Sequence, residues 1–283
     1  MILYRTAFTA SCIAASLALL APAAASAQDG KDNGDFVTAG IGPGILPDYE
    51  GSNDYRVLPV PGAVGSIKGH GFVYVGNQFS VDLIPDKGGP GWDFQFGPNL
   101  SVGFNRSGSG SVHDARVKAL HTVGTAVTVG GYVGIAKQGV ITSDFDRFSF
   151  TLGVDHDIAG AYDGTTVTPS LNYLTPLSKK AMIVVAARAV YADRRYADAY
   201  FSVTPADSAA SGLPVFTARS GWKNWSLAAA ANYSLTGDLT HGLSTIGGIM
   251  YTRLINDFAA SPVTSIAGSR DQWMAGLGLA YTF

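Results

Sequence analysis

The sequence predicts an all-β fold, a transmembrane antiparallel up-and-down β-barrel. Three observations predict it. Apolar residues recur at every second position along several segments. Those segments are about twice the five or six residues usual for strands of soluble domains, and suit the ~10 tilted residues that cross a bilayer. Aromatic rings begin and end their apolar faces, Trp92 with Phe104, Trp225 with Tyr233 and Trp273 with Phe283, as the two membrane interfaces require.

The first segment is not a strand. "MILYRTAFTASCIAASLALLAPAAASA" carries one early cation, Arg5, a short apolar run and an Ala-Ser-Ala close. Residues 1–27 therefore read as a signal peptide cut before Gln28, and 28–283 as the outer-membrane barrel. Cys12, the single cysteine, falls inside the signal, so disulfide and thiol chemistry are not expected of the exported chain. No later apolar run is long enough for a membrane helix; "AMIVVAARAVYA" comes nearest and is interrupted by Arg188. A net charge of −2 without Lys/Arg runs excludes nucleic acid as a partner.

Alternation places strands at 35–45, 56–67, 70–82, 91–105, 122–136, 146–157, 164–176, 180–192, 219–235, 239–254 and 270–283. In "WDFQFGPNLSVGFN" Trp92, Phe94, Phe96, Leu100 and Val102 share one face, and Asp93, Gln95, Asn99 and Ser101 the other. The same reading puts Phe148, Phe150, Leu152 and Val154 opposite Arg147, Ser149, Thr151 and Asp155. A barrel with both ends in the periplasm needs an even strand number. "YADAYFSVT" (196–204) supplies the missing strand, giving twelve; ten is the alternative. Three stretches, 106–121, 193–220 and 256–270, are too long for hairpins and are expected outside the cell.

The most distinctive stretch is "PDYEGSNDYRVLPVP" (47–61), an acidic loop of Asp48, Tyr49, Glu50, Gly51, Asp54, Tyr55 and Arg56 running into a strand with Pro59 and Pro61. Prolines there indicate an edge, a bulge or a strand start. The loop reads as structural, with Arg56 paired to a nearby carboxylate; the other reading makes it a contact for a partner or cation. In "VDHDI" neighbouring residues alternate faces, so neither Asp155 nor Asp157 orients His156 from next door, and an interface histidine is expected. No G-x-S-x-G elbow, H-E-x-x-H pair or Cys/His cluster is present, so no catalytic, cofactor or metal residue is assigned. Arg188 shares a face with Met182, Val184 and Ala186. A charge facing lipid costs ~2–4 kcal/mol at the midplane, so Arg188 is expected in the lumen, paired with Asp93 or Asp155.

Four segments resemble the MltA-interacting protein/OmpV-like outer-membrane family: "PDYEGSNDYRVLPVP", "YADAYFSVTPADSAASGLPVF", "YTRLINDFAASPVT" and the closing "GLGLAYTF". Ser202 stands where the family usually has glycine. The resemblance implies an outer-membrane barrel that joins a lytic transglycosylase to a penicillin-binding protein of peptidoglycan synthesis. It carries over no catalytic residue. The function expected is a non-enzymatic scaffold. A small-solute channel or surface adhesin is the alternative, and an outer-membrane hydrolase is a third. Leu277, Leu279, Tyr281 and Phe283 fit the terminal pattern read by the barrel-assembly machinery. The partners expected are therefore membrane lipid, that machinery and the murein enzymes.

Overall fold

The computed structural model describes residues 34–86, 88–107 and 112–283; the signal segment lies outside them. Among the described residues twelve strands form one closed barrel. They are β1 (Phe36–Pro47), β2 (Tyr55–Ile67), β3 (His70–Val75), β4 (Gln78–Val81), β5 (Trp92–Gly103) and β6 (Ala126–Gln138), then β7 (Arg147–Asp157), β8 (Thr165–Ser178), β9 (Ala181–Ala192), β10 (Gly221–Ser234), β11 (Gly242–Leu254) and β12 (Asp271–Thr282). Each pairs antiparallel with the next, and β12 returns to β1. Closure is what lipid demands, because an open edge would leave backbone groups with no water to bind. The described chain is thus a closed antiparallel β-barrel without a free sheet edge between its first and last strands.

Alternation sorts the side chains as the pattern requires. On β5, Trp92, Phe94, Phe96 and Leu100 are exposed to lipid, while Asp93, Gln95 and Asn99 line the interior. On β12, Trp273, Leu277 and Leu279 face out, and Gln272 and Met274 are buried. The β1–β12 seam runs from Thr38↔Thr282 to Ile45↔Ala275. A Cβ on Gly42 would lie 2.1 Å from the Leu277 carbonyl oxygen, so only glycine lets the strands approach there.

Two expectations about strands are corrected. Segment 70–82 is not one strand but a hairpin, β3 and β4, turned at Gly76 (φ 60°) and Asn77. Gly-Asn is a two-residue hairpin signal that a run of alternating residues concealed. Segment 196–204 is not a strand. It falls mostly in α2 (Arg194–Phe201), whose buried residues Tyr196, Ala197, Tyr200 and Phe201 follow helical spacing. Asp193 caps that helix by accepting from the Tyr196 amide at 2.9 Å. The total of twelve stands, with β3 and β4 supplying the extra strand.

The prolines of β2 mark an edge. β3 is short and pairs with β2 only from Gly62 to Ile67. The Gly76 amide reaches the Pro61 carbonyl at 2.8 Å, and the hairpin rises no further. Pro59, which lies beyond that point, has no N–H to leave exposed.

The two ends of the barrel differ. Turns 68–69, 139–146, 179–180 and 235–241, loop 82–91, and the outer ends of β1 and β12 share one end. Such short turns mark the periplasmic side. The other end carries 48–54, 104–125, 158–164, 193–220 and 255–270. Its long connections hold α1 (Ala115–Lys118), α2, α3 (Pro205–Ser211), α4 (Asn256–Ala260) and α5 (Pro262–Ser265).

Candidate functional site

These helices and loops pack into a cap across the outer mouth. One cluster joins Tyr162, Tyr196, Tyr200, Phe201, Leu254 and Phe258. A second joins Tyr49, Val112, Val117, Leu120, Leu213 and Val263. Fully burying each large apolar side chain contributes ~1.5–3 kcal/mol, so the cap has a core of its own. Capping chemistry fixes its pieces. Thr204 and Asp207 form a reciprocal capping box at the start of α3, and Gly212 closes it in the left-handed conformation.

Loop 48–54 is the hub of the cap. The Tyr49 hydroxyl donates to the Ala267 carbonyl at 3.0 Å, and the Glu50 amide to Asn105 Oδ1 at 3.0 Å. Gly51 has φ 97°, which suits glycine, and its carbonyl accepts from the Ser269 amide at 2.8 Å. Asp48 is fully buried and meets His113 Nδ1 at 2.5 Å. The Arg56 guanidinium donates to the Asp48 carbonyl at 3.3 Å. Asp54 and Tyr55 lie at the outer margin, where the Tyr55 hydroxyl accepts from the Trp273 amide at 3.1 Å. Of the quoted loop, Asp48, Tyr49 and Gly51 thus lie inside the cap.

Electrostatics of the cap follow from this packing. Arg106, at φ 55°, donates to the carbonyls of Tyr200 (2.9 Å) and His121 (3.1 Å). Burial pushes its guanidinium down to about 10. Burial raises the Tyr49 hydroxyl, with Asp114 adding to the effect. Burial would raise Asp207, but hydrogen bonds from Thr204 and His121 outweigh it and hold the carboxyl well below the usual range. The hydrogen bond to Asp48 raises the exposed His113 imidazole.

Beneath the cap, Glu50 reaches the lumen. Lys223 Nζ lies 2.7 Å from Glu50 Oε1, and Asn224 Nδ2 donates to that oxygen at 3.3 Å. The Tyr196 hydroxyl donates to Glu50 Oε2 at 2.6 Å and accepts from Lys223 at 2.9 Å. From this cluster a cavity of about 580 Å3 runs to Gly34, Gly69 and Asp86 at the periplasmic end. Arg188 lines it and interacts electrostatically with Glu50. The pairing expected for Arg188 is corrected. Arg147 takes Asp93, together with Asp86 at 2.9 Å, and Asp155 pairs with Asn99. Arg188 sits on β9, four strands from Asp93 on β5, at about 4.8 Å per strand. Alternation showed which face these charges share but not which of them meet.

The histidines do not assemble. His121 uses Nδ1 on Asp207 (3.0 Å) and Nε2 on the Ala199 carbonyl (3.0 Å), leaving neither nitrogen free for chemistry. His156 faces outward beside Thr165 Oγ1 at 3.0 Å, and His241 stacks on Tyr281. Among the described residues no group of three or more His, Cys, Asp or Glu side chains could hold a metal ion.

The family model described as MltA-interacting protein MipA matches residues 39–283, from β1 to the last residue. The chain belongs to this family. No curated protein matches it. Among solved structures, the toluene transporter TodX of Pseudomonas putida is 9% identical. That alignment covers 97% of this chain and 94% of TodX, with a TM-score of 0.40. An anion-selective porin of Comamonas acidovorans is 10% identical over 88% of this chain and 99% of its own, TM-score 0.36. OprD of Pseudomonas aeruginosa is 11% identical over 80% of this chain, TM-score 0.35, and the match spans 56% of OprD's length. The segment "PDYEGSNDYR", which lies within the matched residues, is the one that organises the cap.

Proposed function

We propose that this MipA-family barrel is a membrane-anchored scaffold for peptidoglycan remodelling, docking a lytic transglycosylase and a penicillin-binding protein from the periplasmic side. The observation that carries this reading is the asymmetry of the two ends. The outer mouth is filled by a packed cap, with Tyr49, Phe201 and Phe258 wholly buried, which opposes free passage of solutes. The periplasmic end presents short turns with exposed Ile141, Leu177, Lys179 and Lys180, the mixture of apolar and cationic groups that a protein partner can use. Loop 48–54 lies at the opposite end, so the contact with murein enzymes is assigned to this rim. A positional role needs no catalytic residue.

The test is co-purification from detergent extracts. Enrichment of a murein hydrolase or synthase over an unrelated control barrel supports the scaffold, and it should weaken when Ile141 and Leu177 are replaced by Asp. Absence of any such enrichment ends the reading. A small-solute channel is the second reading, favoured by the polar lumen. Stepwise conductance of the purified barrel in planar bilayers would support it.

A further inference from the structure

We propose that the lumen is a binding pocket for a neutral, multiply hydroxylated solute of mono- to disaccharide size, reached from the periplasmic end. The size of the cavity, about 580 Å3, is that of a small-molecule site. The cap closes it above Glu50, Lys223 and Tyr196, so a solute entering from below meets a blind end.

The cations of the lining are already committed to carboxylates. Lys223 faces Glu50, Arg147 faces Asp86 and Asp93, and Arg188 interacts electrostatically with Glu50. Asp155 has Asn99. Most of the hydrogen-bonding capacity that remains is on neutral amides. Asn105 and Asn224 both line the cavity and are 1% and 5% exposed. Asn105 Nδ2 and Asn224 Oδ1 have no partner among the described residues, and neither do Gln95 Oε1 and Asn172 Oδ1. Buried amide groups of both kinds are complemented by hydroxyls, which donate and accept.

The walls add a second criterion. Ser149, Thr151, Thr168 and Ser170 line one side, whereas Val184, Ala228, Met250 and Met274 bring apolar surface to the other. A sugar ring has the same division, with C–H faces and a hydroxyl rim. An apolar solute would strand the amides, and an anion would have to displace carboxylates from Lys223 and Arg147.

The experiment is saturation-transfer NMR and calorimetric titration of the purified full-length barrel in micelles, with maltose as the probe. Glucosamine and glucose 6-phosphate serve as charged counterparts. Saturable maltose binding is expected, weakened at least tenfold by Asn224→Leu. Gly153→Phe should do the same by filling the lumen. A Cβ at Gly153 meets nothing closer than 3.5 Å, so the backbone there admits a side chain pointing into the lumen. Heat-modifiable gel mobility confirms folding of each variant. The proposal is overturned if the folded barrel shows no saturable maltose binding, if both variants bind as the parent does, or if either charged sugar binds more tightly. It does not depend on whether the rim docks a murein enzyme.

Discussion

Glu50, from the loop between β1 and β2, and Lys223, near the start of β10, form an ion pair of 2.7 Å beneath the cap, with 14% and 8% of their side chains exposed. The pair ties the most distinctive sequence segment to a strand more than half the chain away. Tyr196 of α2 is bonded to both partners, so cap, wall and hub meet at one point. Removing one member of a buried pair costs ~3–5 kcal/mol because the other charge is stranded. Lys223→Met should therefore lower the unfolding midpoint in urea, read by gel mobility. Glu50→Gln/Lys223→Met should recover much of the loss. If both variants behave alike, the pair has no coupling.

Acid should loosen the cap at Asp207. Its folded carboxyl titrates below the ordinary ~3.9 of the unfolded chain. The stability it contributes is complete above that unfolded value and is lost as pH falls toward the folded one. Proteolysis of loop 193–220 should accelerate below about pH 4 in the parent. Asp207→Asn should be cleaved faster at neutral pH and show little further change on acidification.

His113 provides the opposite sign. Hydrogen bonding to Asp48 raises its imidazole, so its contribution is present below the unfolded value of about 6.5 and lost as pH rises through the folded one. Its ring protons should titrate above 6.5 in NMR spectra. The variant Asp48→Asn should bring them back to the ordinary range.

Closure of the barrel should fail at Gly42. A methyl group there meets the Leu277 carbonyl oxygen at 2.1 Å and Gly278 Cα at 2.4 Å. Gly42→Ala should leave most of the chain heat-unmodifiable on gels, whereas Gly153→Ala, with room for its Cβ, should fold as the parent does.

Phe283 separates assembly from stability. It is 68% exposed and packs on Tyr281 with ring centroids 4.8 Å apart. Phe283→Ala should change the unfolding midpoint of the folded barrel little. If the terminal aromatic is an address for insertion, the same variant should slow membrane assembly several-fold in a reconstituted assay. Equal effects on both would leave it as ordinary packing.

The barrel was legible because lipid imposes a local rule. On strands such as β5 and β7 a residue's parity decides whether it meets lipid or lumen, so Phe94 and Asp93 declare their sides one by one. The same rule misread 70–82, where two turn residues interrupt a continuous alternation. It also misread 196–204, which follows helical spacing because it packs against other cap residues and not against lipid. Of the site, sequence identified loop 47–61 as unusual and placed Arg188 on the lumen face. The role of the loop as hub was not legible, because its partners Asn105, His113, Tyr196, Lys223 and Ala267 lie far away in the chain.

The sequence by itself thus determined the class of fold, the membrane it inhabits and the face each strand residue takes, because alternation against lipid acts between neighbours. Tertiary structure decided what those faces enclose. Which charges pair, how the outer mouth closes and what capacity the lumen keeps depend on strand register and on loops converging from five places. Those are contacts across the barrel, and no local pattern encodes them.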